Sequence, residues 1–468
     1  MKKWISIGLI TLLAACAEDG TTLDGSVSPD ASTTDADVMP DADVMPDADV
    51  MMDADVMMDA GPAPDAGVTT DAGPSADAGL GMDSGPSTDA GAMMDAGPTP
   101  DAGPWTDAGA SEVASVDWTL PPWVWSGRDE TIQLQLADTM GAALNISPDR
   151  LSLDVASGTS TGTLSLASRV GVGTFAFTFH GLEEGSALRF DLRVDGAPVG
   201  MLSPALQVVV PLLHYTPASP AVALSEIATN LSGNTWNPDS GRFVMIRNND
   251  RMIHILAPDL THLKALRLSS VPIGADLEDI VYLGGPPDSP EYALVDEYGR
   301  ATIGVIPPDA VDFISLRGWQ TIRYAGPPAV RNRGGEGIAY DPSSGRMWVC
   351  TESSPMIVYE FARPAAGVDV SYDSDLVVTR PFDADASLGS TITDISSCLF
   401  DPRTQRLLIL SQESARLVDV DWDGSVIATY DVDGAPQFEG VTLIAERDML
   451  LTSEPNRIRP YTYIDPVL

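Results

Sequence analysis

Between residues 230 and 463 one plan of strand, tight turn, strand, turn and strand recurs five times, and no other feature narrows the fold as much. The clearest copy reads EGIAYDPSSGRMWVCTESSPMIVYEF over 336–361. It divides into a strand from Glu336 to Tyr340, a turn at DPSSG, a strand from Arg346 to Glu352 and a third strand from Met356 to Phe361. The same order runs through 230–256, 276–306, 394–420 and 438–463. A unit this short cannot bury its apolar face alone, so repeated strand-type units pack around an axis as a propeller. A more variable fourth strand follows each unit, such as LVVTRPF or SVIATYDV, except after the last, where the chain runs out. The segment Leu212 to Leu224, just before the first unit, can supply that strand and close the ring. The count predicts a five-bladed β-propeller over 212–468.

From 112 to 211 the pattern is different but still all-β. TIQLQLAD, LSLDVAS, GTFAFTFHG, ALRFDLRVDG and LQVVVP alternate apolar and polar residues between Gly, Asp and Ser turns. Period-two runs of this length predict a small antiparallel β-sandwich, similar in length and strand rhythm to bacterial immunoglobulin-like modules. Gly158-Thr159-Ser160-Thr161-Gly162 satisfies G-x-S-x-G. A nucleophile elbow needs a helix after it; here strand-like TLSLAS follows, so the stretch is read as a polar hairpin.

The start of the chain has no such pattern. Lys2 and Lys3, an apolar run from Trp4 to Leu12 and the small residues before Cys16 form a secretory signal over 1–15. Leu13-Ala14-Ala15-Cys16 resembles the lipobox of bacterial lipoproteins. That resemblance implies diacylation of Cys16 and a membrane partner reached through the lipid, with Ala17 pointing to the outer membrane. From 16 to 111 the chain is expected to be a disordered acidic tether. It carries Asp35, Asp41, Asp47 and every sixth residue onward to Asp107, and neither Lys nor Arg. Such a composition cannot bury enough apolar surface to offset its ordering entropy. As a coil of about 90 residues its ends average roughly 50–60 Å apart, and more with repulsion. One Asp per six residues supplies too few oxygens for a calcium repeat. Of the net charge of −41, 21 acidic residues lie between 17 and 111, so the folded part is only moderately acidic. No basic face exists for a nucleic-acid partner.

The propeller motifs together resemble those of the SdiA-regulated, YjiK-like family of extracytoplasmic propellers. The matching stretches are Asp276 to Tyr282, Glu336 to Tyr340, Asp394 to Ser396, Glu439 to Val441 and Ser453 to Arg457. Ser397 stands where the family tends to have Gly, and Asn248 replaces an acidic residue in the first unit. The resemblance implies a propeller outside the cytoplasm and leaves the activity open.

Aligning the units gathers the carboxylates into two rings. Ser232, Glu278, Glu336, Ser396 and Glu439 share one position, and Asn230, Asp276, Gly334, Asp394 and Gln437 stand two residues earlier. Side chains two apart share a strand face, so Asp276, Glu278, Glu336, Asp394 and Glu439 are expected at one mouth of the central channel. These oxygens suit a hard cation such as calcium. Glu297, Glu352, Glu413 and Glu454 end the second strand of each later unit, on the same face, and form a second, ligand-binding ring. The competing reading makes each of these a bracket, paired with the Arg three residues on: Arg300, Arg416 and Arg457, with Arg251 in the first unit. Such exposed pairs contribute roughly 0–1 kcal/mol.

Other signals are weaker. Asp419-Val420-Asp421-Trp422-Asp423-Gly424 imitates an EF-hand start, but Tyr430 holds its twelfth position, and Asp-Gly between apolar runs is a hairpin turn. Cys350 and Cys398 are either two buried thiols or a disulfide. The four His residues, His180, His214, His254 and His262, show no metal-ligand spacing. Two functions remain. One is a lipid-anchored, non-catalytic propeller binding a small molecule or protein at its mouth. The other is a calcium-dependent hydrolase of small esters, lactones or phosphoesters.

Overall fold

The computed structural model describes residues 105–466, apart from 249–250, 271–275, 327–333, 354 and 436. The signal segment 1–15, Cys16 and the tether as far as 104 lie outside the described residues. Strands dominate what is described. No helix among the described residues is long and apolar enough to cross a membrane.

Two sheets share one core in the N-terminal region. The first joins Ser115–Thr119, Asp129–Ala137, Thr174–Gly181, Gly162–Leu164 and Ser168–Gly171; the second joins Leu151–Ser157, Arg189–Val194 and Ala197–Leu202. Alternation sends Ile132, Leu134, Leu136, Phe175, Phe177 and Phe179 inward from one sheet. They meet Leu151, Phe190, Leu192 and Val194 from the other. Order begins before Glu112: Thr106 N donates to Asn145 O at 2.8 Å, and Ala108 is part of this core. Ser160 sits between two strands, with Gly185 N bonded to its Oγ at 3.0 Å.

The chain from Tyr215 onward forms a β-propeller. Its described residues make five antiparallel-cored sheets with inner strands Leu231–Asn237, Leu277–Gly284, Gly335–Asp341, Ser397–Asp401 and Gln437–Ile444. These inner strands touch in ring order, the fifth against the first. Hydroxyls stitch the ring: Ser232 Oγ donates to Glu278 O at 2.5 Å, Ser396 Oγ to Phe438 O at 2.8 Å and Thr452 Oγ1 to Ser232 O at 2.6 Å. The strand missing from the last unit comes from Tyr215–Pro217 and Val222–Ala223, both paired with Arg457–Tyr463. The first and last parts of the propeller are thereby held in one sheet.

The third sheet departs from the repeat. LVVTRPF does not form its fourth strand; Thr379 makes one bridge to Glu360 and the sheet keeps three strands. Pro381 has no N–H to extend the ladder, and Asp383 instead caps a short helix, Ala384–Leu388, through Ala386 N at 3.1 Å. Residues Val370–Ser371 reach back to the edge of the second sheet, as Phe313–Ser315 reach back to the first. Cys350 and Cys398 are free and buried, on the third and fourth sheets.

Sandwich and propeller meet at a polar seam. Arg403 pairs with Asp401 at 2.8 Å, and its guanidinium lies over the rings of Trp125, Tyr215 and Tyr463. Arg406 pairs with Asp419 at 2.6 Å and donates to Ser126 O at 3.1 Å. All four charged groups are buried. Buried charges in such a place need pairing, and each guanidinium has a carboxylate partner plus a contact with a group across the seam, while Arg403 Nη1 keeps no hydrogen bond of its own.

Candidate functional site

Each inner strand begins with an irregularity, and the aligned carboxylates occupy it. Leu277 faces Asp296 and Asp279 faces Val295, so Glu278 is an extra residue. Glu336 is the extra residue between Gly335–Thr351 and Gly337–Cys350, and Glu439 between Phe438–Ser453 and Gly440–Thr452. In the first sheet the shift falls between Leu231 and Asn234 and takes in Ser232. In the fourth, Ser396 N donates to Leu410 O at 2.9 Å while Ser397 faces the same residue. A β-bulge bends its strand and re-aims the extra side chain. Here a register shift recurs in four of the five sheets, and in three of them the extra residue is Glu.

Burial and mutual repulsion set the chemistry of these three. Burial, with the charges of Glu297 and Asp276, pushes Glu278 up to about 8; weak hydrogen bonds from Ser232 and Asn248, at 3.4 and 3.5 Å, oppose it. Glu336 is held well above the carboxylate range by burial, then by Glu278, Glu352, Glu297 and Glu439. Burial, then Glu454, Glu278, Asp394 and Glu352, takes Glu439 up to about 9. Glu454, half-buried, is raised by burial as well. Both rings therefore act in one electrostatic field, which favours the protonated form of the three bulge carboxyls.

The remaining expected residues differ in role. Asp394 is buried and its oxygens accept from Ser411 Oγ, from Gln412 N at 3.0 Å and from Glu413 N at 3.1 Å, so it braces a turn. Asp276 stands at the lip, its carbonyl accepting Glu297 N at 3.3 Å. Glu413 is exposed and accepts from Thr393 Oγ1 at 3.0 Å, apart from the bulge carboxyls. The expected brackets to Arg three residues on do not form. Arg300 binds Asp296, its partner directly across the hairpin, at 2.7 Å; Arg416 binds its cross-strand partner Asp431 at 2.7 Å. Arg457 is exposed and makes no ion pair with Glu454. Direct cross-strand neighbours win because their side chains already stand side by side.

One residue escaped the reading of the sequence. The position after each bulge holds Gly233, Asp279, Gly337, Ser397 and Gly440. Neighbouring sheets approach closely there: a Cβ on Gly337 would lie 2.4 Å from Cys398 N, and one on Gly233 2.1 Å from Asp279 Oδ1. Asp279 fills the space that these small residues leave. It is 2 % exposed and accepts from Ile280 N at 2.8 Å, Ile338 N at 3.1 Å and Ser397 Oγ at 3.0 Å. Burial raises its carboxyl well above the usual range, against the pull of those donors. Asp279 thus joins four sheets at the axis just beneath the acidic mouth. The signal was in the aligned column, where one charged residue stands among Gly and Ser.

The model of the SdiA-regulated family matches residues 210–461, more than half of the chain. The chain belongs to the SdiA-regulated family. Membership covers the whole propeller and leaves the sandwich outside. The chain is also similar to the solved structure of a luciferin-regenerating enzyme, at 11% identity over 53% of this chain and 99% of that one, with a TM-score of 0.35. A calcium-binding regucalcin of Agrobacterium tumefaciens matches at 12% identity over 53% and 97%, TM-score 0.33. A gluconolactonase of Xanthomonas campestris matches at 13% over 52% and 89%, TM-score 0.32. Likeness at this level transfers neither ligand nor activity to this SdiA-regulated protein.

Whether a metal suits the mouth can be judged from its donors. They are all oxygen, which favours a hard cation. Among the described residues, however, no group of three or more His, Cys, Asp or Glu is arranged to hold a metal ion. Holding calcium, with its roughly six to eight oxygens, would require the Glu278, Glu336 and Glu439 carboxyls to be drawn together.

Proposed function

We propose that this chain is a non-catalytic, lipid-anchored binding protein of the bacterial cell envelope, with a five-bladed propeller whose acidic mouth receives the positively charged part of a ligand. The supporting observation is the set of Glu278, Glu336 and Glu439 on equivalent bulges, the first buried, the other two half-buried, and repelling one another. Carboxyls held neutral by burial and by each other ionise when a cation arrives, so cation binding and proton release are coupled. Calcium is the first cation to test; a small molecule or a protein carrying a cationic group is the wider class. Cys16 provides the anchor, in the outer membrane on this reading. The tether and the immunoglobulin-like sandwich then hold the propeller away from the bilayer.

Calcium titration of the purified chain tests the mouth, with the thermal midpoint and proton release as readouts. Saturation at 100 times Kd is expected to add about 2.7 kcal/mol of stability, and Glu439→Gln is expected to reduce both signals. No midpoint change with calcium, magnesium or an organic amine would refute a cation-receiving mouth. Turnover of esters, lactones or phosphoesters, lost in the same variant, would replace binding by hydrolysis. Palmitate labelling in the native host, abolished by Cys16→Ser, tests the anchor.

A further inference from the structure

The inner strands that begin at the bulges end, on the opposite face, in a second cavity of about 330 Å³. All five propeller sheets contribute to its wall. Its character is the reverse of the acidic mouth. Trp236, Tyr282, Tyr340 and Phe400 supply aromatic surface from four different sheets, with Leu399 and Leu443 between them. The rings are backed by further rings. Trp236 rests on Phe243 at 4.8 Å and Tyr282 on Tyr292 at 5.4 Å, while Phe400 stacks on Trp348 at 5.5 Å. The walls are therefore fixed before any ligand arrives.

The lining is nearly free of unused polar groups. Thr442 Oγ1 already accepts Trp236 N at 3.1 Å, and Thr235 Oγ1 accepts Tyr282 N at 3.1 Å. Among the described residues no Lys or Arg lines the cavity, and Glu446 is the one charged lining residue. A second carboxylate, Asp239, accepts the Tyr282 hydroxyl. Arg363 lies over the Tyr340 ring at 5.9 Å but is paired with Glu291 at 2.5 Å.

Glu446 is placed by the backbone, at a cost. It and Ala445 are both left-handed, at φ 58° and 52°, in a turn closed by Arg447 N to Ile444 O at 3.0 Å. Residues with a Cβ resist that conformation, and it persists only where the surroundings impose it. The seam with the sandwich supplies the constraint: Tyr215 donates to Arg447 O at 2.8 Å, and Arg403 donates to the Tyr215 hydroxyl at 2.9 Å.

We propose that this funnel is a binding site for an organic cation, an amine or quaternary ammonium carried on an apolar or aromatic body. Aromatic faces attract a desolvated cation through their quadrupoles. The apolar body fills the cavity between the rings, and Glu446 supplies the counter-charge at the rim. A neutral ring would gain the walls without the carboxylate, and an anion would meet Glu446 and Asp239.

Calorimetric titration of the full chain with benzyltrimethylammonium chloride, beside benzyl alcohol as an uncharged probe, tests the assignment. The cation is expected to bind more tightly than the alcohol, and both Glu446→Gln and Trp236→Leu to weaken it about fivefold or more. Glu439→Gln, at the opposite mouth, is expected to leave this affinity unchanged, so the test stands apart from the function proposed above. Glu446→Gln changes an exposed turn residue, and an unchanged thermal midpoint will show that the variant is folded. Equal affinity for the two probes would overturn the proposal, as would no binding at millimolar probe. Cation binding that survives Glu446→Gln but not Glu439→Gln would also overturn it, by locating the cation at the acidic mouth.

Discussion

Replacing Glu439 by Gln is expected to stabilise the protein, although it removes an ionisable group from a bulge of the repeat. The Glu439 carboxyl is raised from 4.5 to about 9, by burial first and then by Glu454, Glu278, Asp394 and Glu352. At pH 7 the folded chain therefore keeps a proton that the unfolded chain has released. The cost covers the two and a half pH units between 4.5 and 7, at about 1.4 kcal/mol each, or ~3 kcal/mol. A folded value above the unfolded one fixes the sign. Glu439 is harmless below its unfolded value, and its penalty grows as pH rises until the folded carboxyl ionises. Gln carries no such penalty, and burying its amide takes back ~1 kcal/mol. The net expectation is a gain of about 2 kcal/mol at pH 7, larger near pH 8.5 and absent near pH 5. Urea unfolding with a chelator present, followed through tryptophan emission at those three pH values, measures it. A loss of stability at pH 7, or a gain that does not vary with pH, would refute the idea that buried, mutually repelling carboxyls line the mouth.

Three further changes separate the roles assigned above. Glu413→Gln alters an exposed carboxylate outside the cluster and is expected to move stability by less than about 0.5 kcal/mol, as read from the same urea curves. Arg406→Ala leaves Asp419 buried without its guanidinium and unties Ser126 of the sandwich; it is expected to cost roughly 3–5 kcal/mol, with the sandwich and propeller transitions separating in calorimetry. Asp279→Ala strips the acceptor from Ile280 N, Ile338 N and Ser397 Oγ and is expected to cost at least ~3 kcal/mol in urea unfolding, with faster amide exchange at Ile338.

Much of the propeller was legible because its code is local. Asp-Pro or Asn-Pro after an alternating run, then a second run, reads as a hairpin without knowledge of the rest of the chain. That logic carried 230–256, 336–361 and 394–420; 438–463, which turns at Ala445-Glu446, was found by its two apolar runs, and the strand before the first unit found its place beside Arg457–Tyr463. It failed at LVVTRPF, whose alternation is as good as that of SVIATYDV. Pro381 and the cap at Asp383 turned the chain into a helix, and Val377 remains exposed. An outer strand packs on one neighbour only, so local chemistry can overrule its pattern.

The site was legible to a lesser depth, for a reason that lies in the bulges. Period-two counting assumes an unbroken pleat, and on that assumption Asp276 and Glu278 share a face while Asp279 points away. The extra residue at each bulge breaks the parity at that point. Glu278 is re-aimed towards the other carboxyls, and Asp279 falls on the axis among Gly233, Ile338 and Ser397. The arginines misled for a related reason. Spacing along the chain put Arg300 near Glu297 and Arg416 near Glu413, but a hairpin makes partners by register, and register gave Asp296 and Asp431. The aromatic funnel had no sequence signature because its rings come from four separate units and meet only when the ring closes. Residue order thus placed each carboxylate on its hairpin but did not give the hairpin's bulge or register. Every part that depends on closure, from the Asp279 hub to the cavity beside Glu446, required the folded chain.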